Sequence, residues 1–174
     1  MSALPPTAAA QVASMWEPAM RSALEEARLA VAANNHPFGA VLCDAEGKVL
    51  LAAQNTVVTD KDPTCHAETN LVRSACRTLD PKSMAQMTLV TSTEPCPMCS
   101  GAIYWAGIGR VVYACSGKKL GQISGEELDI PCGQVFSSGR LHSVEVEGPV
   151  LAAEAEEMHT RFWTSWSGEH FGDS

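Results

Sequence analysis

The spacing of hydrophobic positions changes along the chain, and each change marks an element. Trp16, Met20, Leu24, Ala27 and Val31 recur at three- and four-residue intervals, the spacing of one helix face, with Arg21, Glu25, Glu26 and Arg28 mostly off that stripe. Pro18 suits the first turn of this helix, where its missing N–H does no harm, and Asn34-Asn35 ends it. His36 to Cys43 reads as a turn feeding a strand, Ala45 to Lys48 as a hairpin turn, and Val49 to Ala53 as the returning strand. Thr56 to Thr64 reads as a loop, with Asp62-Pro63 or Thr64 placed to cap a second helix that runs to about Leu79 before Pro81. Met87 to Ser92 is a third strand. Cys96 to about Ala106 is a third helix closed by Gly107 and Gly109, and Arg110 to Ala114 is a fourth strand. From Cys115 to Arg140 the pattern fades into a Gly- and Ser-rich segment, with a short helix at Pro131 to Phe136. Ser143 to Val146 reads as a fifth strand and Leu151 to Trp163 as a final helix.

This alternation implies an α/β fold of three layers, α/β/α, with a five-stranded mixed sheet covered by helices on both faces. No internal repeat or linker interrupts the chain, so residues 1–174 read as one domain. The first fifteen residues, Ala-rich with Pro5-Pro6, read as a frayed N-terminus, and residues 165–174 as a polar, aromatic C-terminal tail.

Composition narrows the classes of partner. The net charge of −8 and pI near 5.0 count against nucleic acid, because binding to phosphates draws on a basic face. No stretch is long and apolar enough to span a membrane, and the first fifteen residues lack the basic residues of a secretory or transit signal. The cysteines number seven, scattered and partly within apolar runs, which suits free thiols in a reducing compartment, the cytoplasm, better than a disulfide framework.

Chemistry concentrates in two short stretches, His66-Ala67-Glu68 and Pro95-Cys96-Pro97-Met98-Cys99. Cys96 and Cys99 are spaced to grip one metal from a single helical turn, and a helix N-terminus lowers the pKa of nearby thiols. His66 supplies a third ligand. Three protein ligands leave the fourth position of a zinc ion open, the layout of a catalytic rather than a structural site. Glu68, two residues on, stands beside the metal without binding it. A bare C-x-x-C also suits a redox pair, and a structural site would need a fourth ligand. Cys65 adjoins His66, but neighbouring helical residues point about 100° apart, so both rarely reach one metal. The whole pattern, H-x-E…P-C-x-x-C, is the signature of zinc deaminases.

At these residues the chain resembles the cytidine deaminase-like superfamily of zinc-dependent deaminases, and within it most of all the guanine and nucleoside deaminase branch. The resemblance runs from about Pro37 to Tyr113, through Pro37-Phe38-Gly39-Ala40-Val41, Asp62-Pro63-Thr64 with His66-Ala67-Glu68, and Glu94 to Trp105. Ile108 to Val112 looks equally like tRNA adenosine deaminases, while yeast-type cytosine deaminases resemble the chain less. The resemblance implies a homodimer, one zinc ion per chain, and a nucleobase or nucleoside substrate. It implies that Asn55 bonds the carbonyl edge of the base or a sugar hydroxyl and that the Ala67 N–H holds a ring oxygen. Phe38 and His66 would flank the ring, Trp105 would wall the pocket, and the Glu94 carbonyl would meet the departing amine. Guanine deaminases carry an acid for the purine edge that, counted forward without a gap, falls on Glu126-Glu127; Gly125 replaces the aromatic before it, and Glu127 is the candidate.

The reaction expected is hydrolytic deamination of guanine or guanosine, with Glu68 as base and then acid. The alternatives are deamination of cytosine or another amino-heterocycle, editing of tRNA adenosine, and a non-catalytic zinc domain, which would have no use for Glu68.

Overall fold

In a computed structural model of the chain, residues 8–125, 128, 130 to 166 are described, with side chains in the first helix from Met15 onward. Helix α1 spans Ala8–Ala32, followed by strands β1 (Gly39–Cys43) and β2 (Val49–Gln54). A short helix α2 (Val57–Asp60), helix α3 (Ala67–Thr78) and a 3-10 helix (Pro81–Gln86) lead to β3 (Thr88–Thr93). Helix α4 (Pro97–Ala106), β4 (Arg110–Cys115), α5 (Gly117–Ser124), α6 (Cys132–Ser137), β5 (Glu145–Glu147) and α7 (Ala152–Ser165) complete it. The five strands form one sheet in the order β2-β1-β3-β4-β5. The pairs β1–β2 and β1–β3 are antiparallel; β3–β4 and β4–β5 are parallel.

Alternate strand residues feed two cores, as a period of two requires. Ala40, Leu42, Leu89 and Val111 face α3, α4 and α6, among Leu71, Ile103 and Phe136. Val41, Cys43, Val90 and Val112 face α1 and α7, among Trp16, Met20, Leu24 and Ala155. The sheet is thus covered on both sides, and the three-layer expectation holds.

Local differences have identifiable causes. Pro18 lies inside α1 rather than in its first turn, and the helix begins at Ala8, within the stretch expected to fray. Ala8, Ala9, Ala10 and Ala13 are the strongest helix formers and carry the helix past the lost N–H. The buried stripe runs through Trp16, Met20, Ala23, Leu24, Ala27 and Ala30, leaving Val31 exposed. Gly39 is where α1 meets the sheet: a Cβ there would come within 2.4 Å of the Ala23 carbonyl oxygen.

The loop expected from Thr56 to Thr64 contains α2. Asp62 does not cap α3; its carboxylate accepts from the Thr64 N–H at 2.8 Å and from the Thr64 hydroxyl, and the N-cap of α3 is His66. Helix α5 occupies part of the segment that the sequence left unread, and Ser116 caps it by accepting from the Lys119 N–H. Gly107 closes α4 in the left-handed conformation. The fifth strand lies at Glu145–Glu147, slightly later than Ser143 to Val146.

After α7 Trp166 stacks on Phe162, with ring centroids 5.0 Å apart, and meets His36 edge-on at 5.3 Å. The later tail aromatics, His170 and Phe171, lie outside the described residues, as do Glu126 and Glu127.

Candidate metal centre and active site

Two helix N-termini converge. His66 is the N-cap of α3 and Cys96 the N-cap of α4, with Pro97 and Cys99 in the first turn of α4. His66 Nδ1 lies 3.7 Å from Cys96 Sγ and 3.5 Å from Cys99 Sγ. A tetrahedral zinc ion, bonded to sulfur at about 2.3 Å and to nitrogen at about 2.0–2.1 Å, sets such atoms roughly 3.6 Å apart. All three donor atoms lie within 4.8 Å of one another. The spacing and the soft donor set fit zinc. Cys65 is buried elsewhere and is no part of the cluster.

The thiols are electrostatically unlike. Cys96 is held down at about 4, first by a hydrogen bond with Cys99 and then by His66, against burial. Cys99 is pushed well above the ordinary thiol by the same bond and by burial. Burial works against a charged His66, but its bond to Cys96 and the charges of Glu68 and Cys96 leave its pKa raised.

Glu68 lies in the first turn of α3 and is 4% exposed. Its Oε2 lies 3.6 Å from Cys99 Sγ, and its Oε1 accepts from Thr91 Oγ1 at 2.9 Å. Burial raises its carboxyl above the ordinary range, while the His66 charge opposes the rise. The Thr91 hydroxyl also approaches the Gly39 carbonyl oxygen at 3.4 Å; the shorter contact takes its single proton.

The candidate substrate groups are distributed unevenly. Asn55 is buried beside the metal-bearing turn: its N–H donates to the Phe38 carbonyl at 3.0 Å, and the next residue, Thr56, donates to Cys65 at 3.0 Å. Asn55 Oδ1 accepts from the Val57 N–H at 3.1 Å, so Nδ2 is the donor end of the side chain. Ala67 opens α3, where the first N–H groups have no partner within the helix. Phe38 is half-buried, with its ring 5.3 Å from that of His159. The Glu94 side chain points to the N–H groups of Gly117 and Cys132. Trp105 is not brought to the metal cluster: it is 76% exposed, meets Tyr104 edge-on, and lines a separate cleft with Leu141.

Sequence reasoning missed Thr91 and Asn70. Asn70 Nδ2 donates to the Gln54 carbonyl at 2.9 Å and to Thr56 Oγ1 at 3.0 Å, tying β2 to α3. Its one legible signal was its place a helical turn beyond His66.

This fold and donor set define a zinc-dependent deaminase, and the comparisons agree. Residues 14–115 match the cytidine and deoxycytidylate deaminase zinc-binding region, and the chain belongs to that family. It is 38% identical to a Schizosaccharomyces pombe protein named "Probable cytosine deaminase", over 83% of this chain and 90% of that one. It is 49% identical to the guanine deaminase of Bacillus subtilis over 78 residues, 45% of this chain and 49% of that one. The guanine deaminase structure from Nitrosomonas europaea superposes with a TM-score of 0.73 over 92% of this chain and 94% of that one, at 24% identity, and supports the fold. tRNA-specific adenosine deaminases, among them that of Haemophilus influenzae, are also relatives. Among the described residues no helix is long and apolar enough to cross a membrane.

Proposed function

We propose that the chain hydrolyses the exocyclic amine of a free aminopurine, guanine or its nucleoside, and releases ammonia. The observation that carries guanine is the 49% identity to the B. subtilis guanine deaminase, although that match spans about half of each chain. Asn55 supports it: with Oδ1 held by the Val57 N–H, its amide NH2 can donate to a carbonyl oxygen of the base.

His66, Cys96 and Cys99 would hold the zinc ion. Zinc bound there acts as a Lewis acid and lowers the pKa of a water molecule toward 7. Glu68, with Oε1 held by Thr91, takes a proton from the attacking water through its other oxygen and delivers it to a ring nitrogen. The new C–O bond forms at the amino-bearing carbon. Glu68 then carries the remaining hydroxyl proton to the amine, the C–N bond breaks, and ammonia leaves as the carbonyl forms. The Glu94 carbonyl and the Ala67 N–H line the path of these groups, and Phe38 stacks on the base.

Cytosine is the second reading, favoured by the S. pombe relative, whose match covers 83% of this chain and 90% of that one. A tRNA substrate fits poorly with a net charge of −8. We also infer a homodimer joined beside α4, where Trp105 and Leu141 are 76% and 73% exposed. A panel of guanine, guanosine, adenine, cytosine, their nucleosides and tRNA, read by ammonia release, tests the substrate. Guanine as the best substrate upholds the proposal; preference for cytosine or tRNA replaces it.

A further inference from the structure

The carboxylate that precedes the metal-binding Pro-Cys pair does not face the metal ligands. Glu94 Oε2 accepts from the Gly117 N–H at 2.9 Å, and Oε1 accepts from the Cys132 N–H at 3.1 Å. One side chain therefore holds the first residue of α5 and the first residue of α6. Its own N–H donates to the Cys115 carbonyl at 2.8 Å, so the end of β3 is tied to the end of β4 at the same point.

The position of this junction matters. Strands β3 and β4 are parallel, with Thr93 opposite Cys115, so both run out at the same edge of the sheet. Ligands of open α/β sheets bind beyond the carboxyl ends of such strands. The turn that carries Cys96 leaves β3 at this edge, and α5 leaves β4 beside it. Helix α5 packs on α7 and α6 packs on α4, so Glu94 joins helices from opposite faces of the sheet. The neighbouring Cys132 thiol is pushed up to about 12, by burial first and by the Glu94 charge next.

We propose that Glu94 is a positioning residue whose carboxylate clasps the starts of α5 and α6 to the metal-binding turn and so fixes the walls against which substrate binds. The proposal rests on the deaminase reading of the site. It is distinct from any part played by the Glu94 backbone carbonyl, which side-chain substitution leaves in place. The clasp acts on substrate binding rather than on proton transfer, because the Glu94 carboxylate bonds α5 and α6 while Glu68 contacts Thr91 and Cys99.

Glu94→Gln tests it. The amide keeps one oxygen but turns an NH2 group toward one of the two N–H donors, so at least one bond is lost with little change of shape. Amide hydrogen exchange is followed by NMR in the zinc-loaded protein, with kinetics on guanine or whichever base the wild type deaminates best. Exchange at Gly117 or Cys132 is expected to quicken about tenfold while β3 keeps its protection, and KM to rise about tenfold with kcat within about threefold, the scale of one charge-assisted bond. Zinc stays at one per chain. Unchanged exchange at both amides overturns the clasp. So does a fall in kcat at constant KM, or a lower melting temperature with KM unaltered. If the wild type deaminates none of the bases, the deaminase reading fails and exchange alone decides the clasp.

Discussion

Thr91 Oγ1 donates to Glu68 Oε1 at 2.9 Å, so a residue in the middle of the sheet holds a carboxylate on the first turn of a helix. Thr91 lies in β3 between β1 and β4 and is fully buried, which makes it a rigid anchor. Oε1 is held by Thr91, and in the proposed mechanism Oε2, 3.6 Å from Cys99 Sγ, is the oxygen that exchanges protons. Thr91→Val removes the donor and nearly preserves the shape. It is expected to lower kcat by about tenfold or more at constant KM, the worth of a hydrogen bond to a charged group. Thr91→Ser restores the donor and most of the rate. Unchanged kcat in the valine variant would remove Thr91 from the mechanism.

Metal content should follow the three donor atoms. Cys99 is buried within the cluster, and Cys99→Ala is expected to lose most of its zinc in elemental analysis. The exposed Cys76 serves as the control, and Cys76→Ala should keep one zinc per chain. Full zinc in the Cys99 variant would assign the third ligand elsewhere.

Much of the site was legible because ligand chemistry imposes short, fixed spacings. His66, Glu68, Cys96 and Cys99 each sit within a turn of a helix start, so local sequence alone gathered them in two groups. Thr91 was not legible: a threonine in a strand satisfies β-propensity and gives no sign of what its hydroxyl meets. The Glu94 side chain was missed for a related reason, since its partners are backbone N–H groups more than twenty residues away. Helix α5 escaped because Gly117, Gly121 and Ser124 have weak helix propensity, although Ser116 as its cap was a usable signal. Trp105 read as a pocket wall because an aromatic near a metal motif gives no indication of which helix face it occupies.

Stability should fall in acid through His159. This buried ring on α7 is held neutral, its pKa lowered by burial to about 4 from 6.5. Its Nε2 lies 2.7 Å from Thr93 Oγ1, and Nδ1 has no hydrogen-bond partner among the described residues to receive a second proton's N–H. The folded pKa lies below the unfolded one, so the unfolded chain binds the proton first. The stabilisation is complete above about pH 6.5 and is lost as pH falls toward 4, by about 3 kcal/mol in all. Urea unfolding across that range should show this slope in the wild type and its loss in His159→Gln. Equal slopes would mean that other groups carry the acid sensitivity.

Light scattering at micromolar concentration should give twice the 18.5 kDa chain mass. Trp105→Lys, which places a charge on the exposed face beside α4, should shift the protein toward monomer. A wild type that is already monomeric contradicts the dimer.

The most direct measurement is ammonia released per zinc ion by the wild type and by Glu68→Gln, on the best base of the panel. The amide fills the same space beside Cys99 and Thr91 but cannot carry protons. One zinc per chain with turnover lowered by about 10²-fold or more is the expected result, since each acid–base step is worth about 10²–10⁴-fold. Turnover within about tenfold of the wild type, with zinc in place, would contradict Glu68 as the proton carrier.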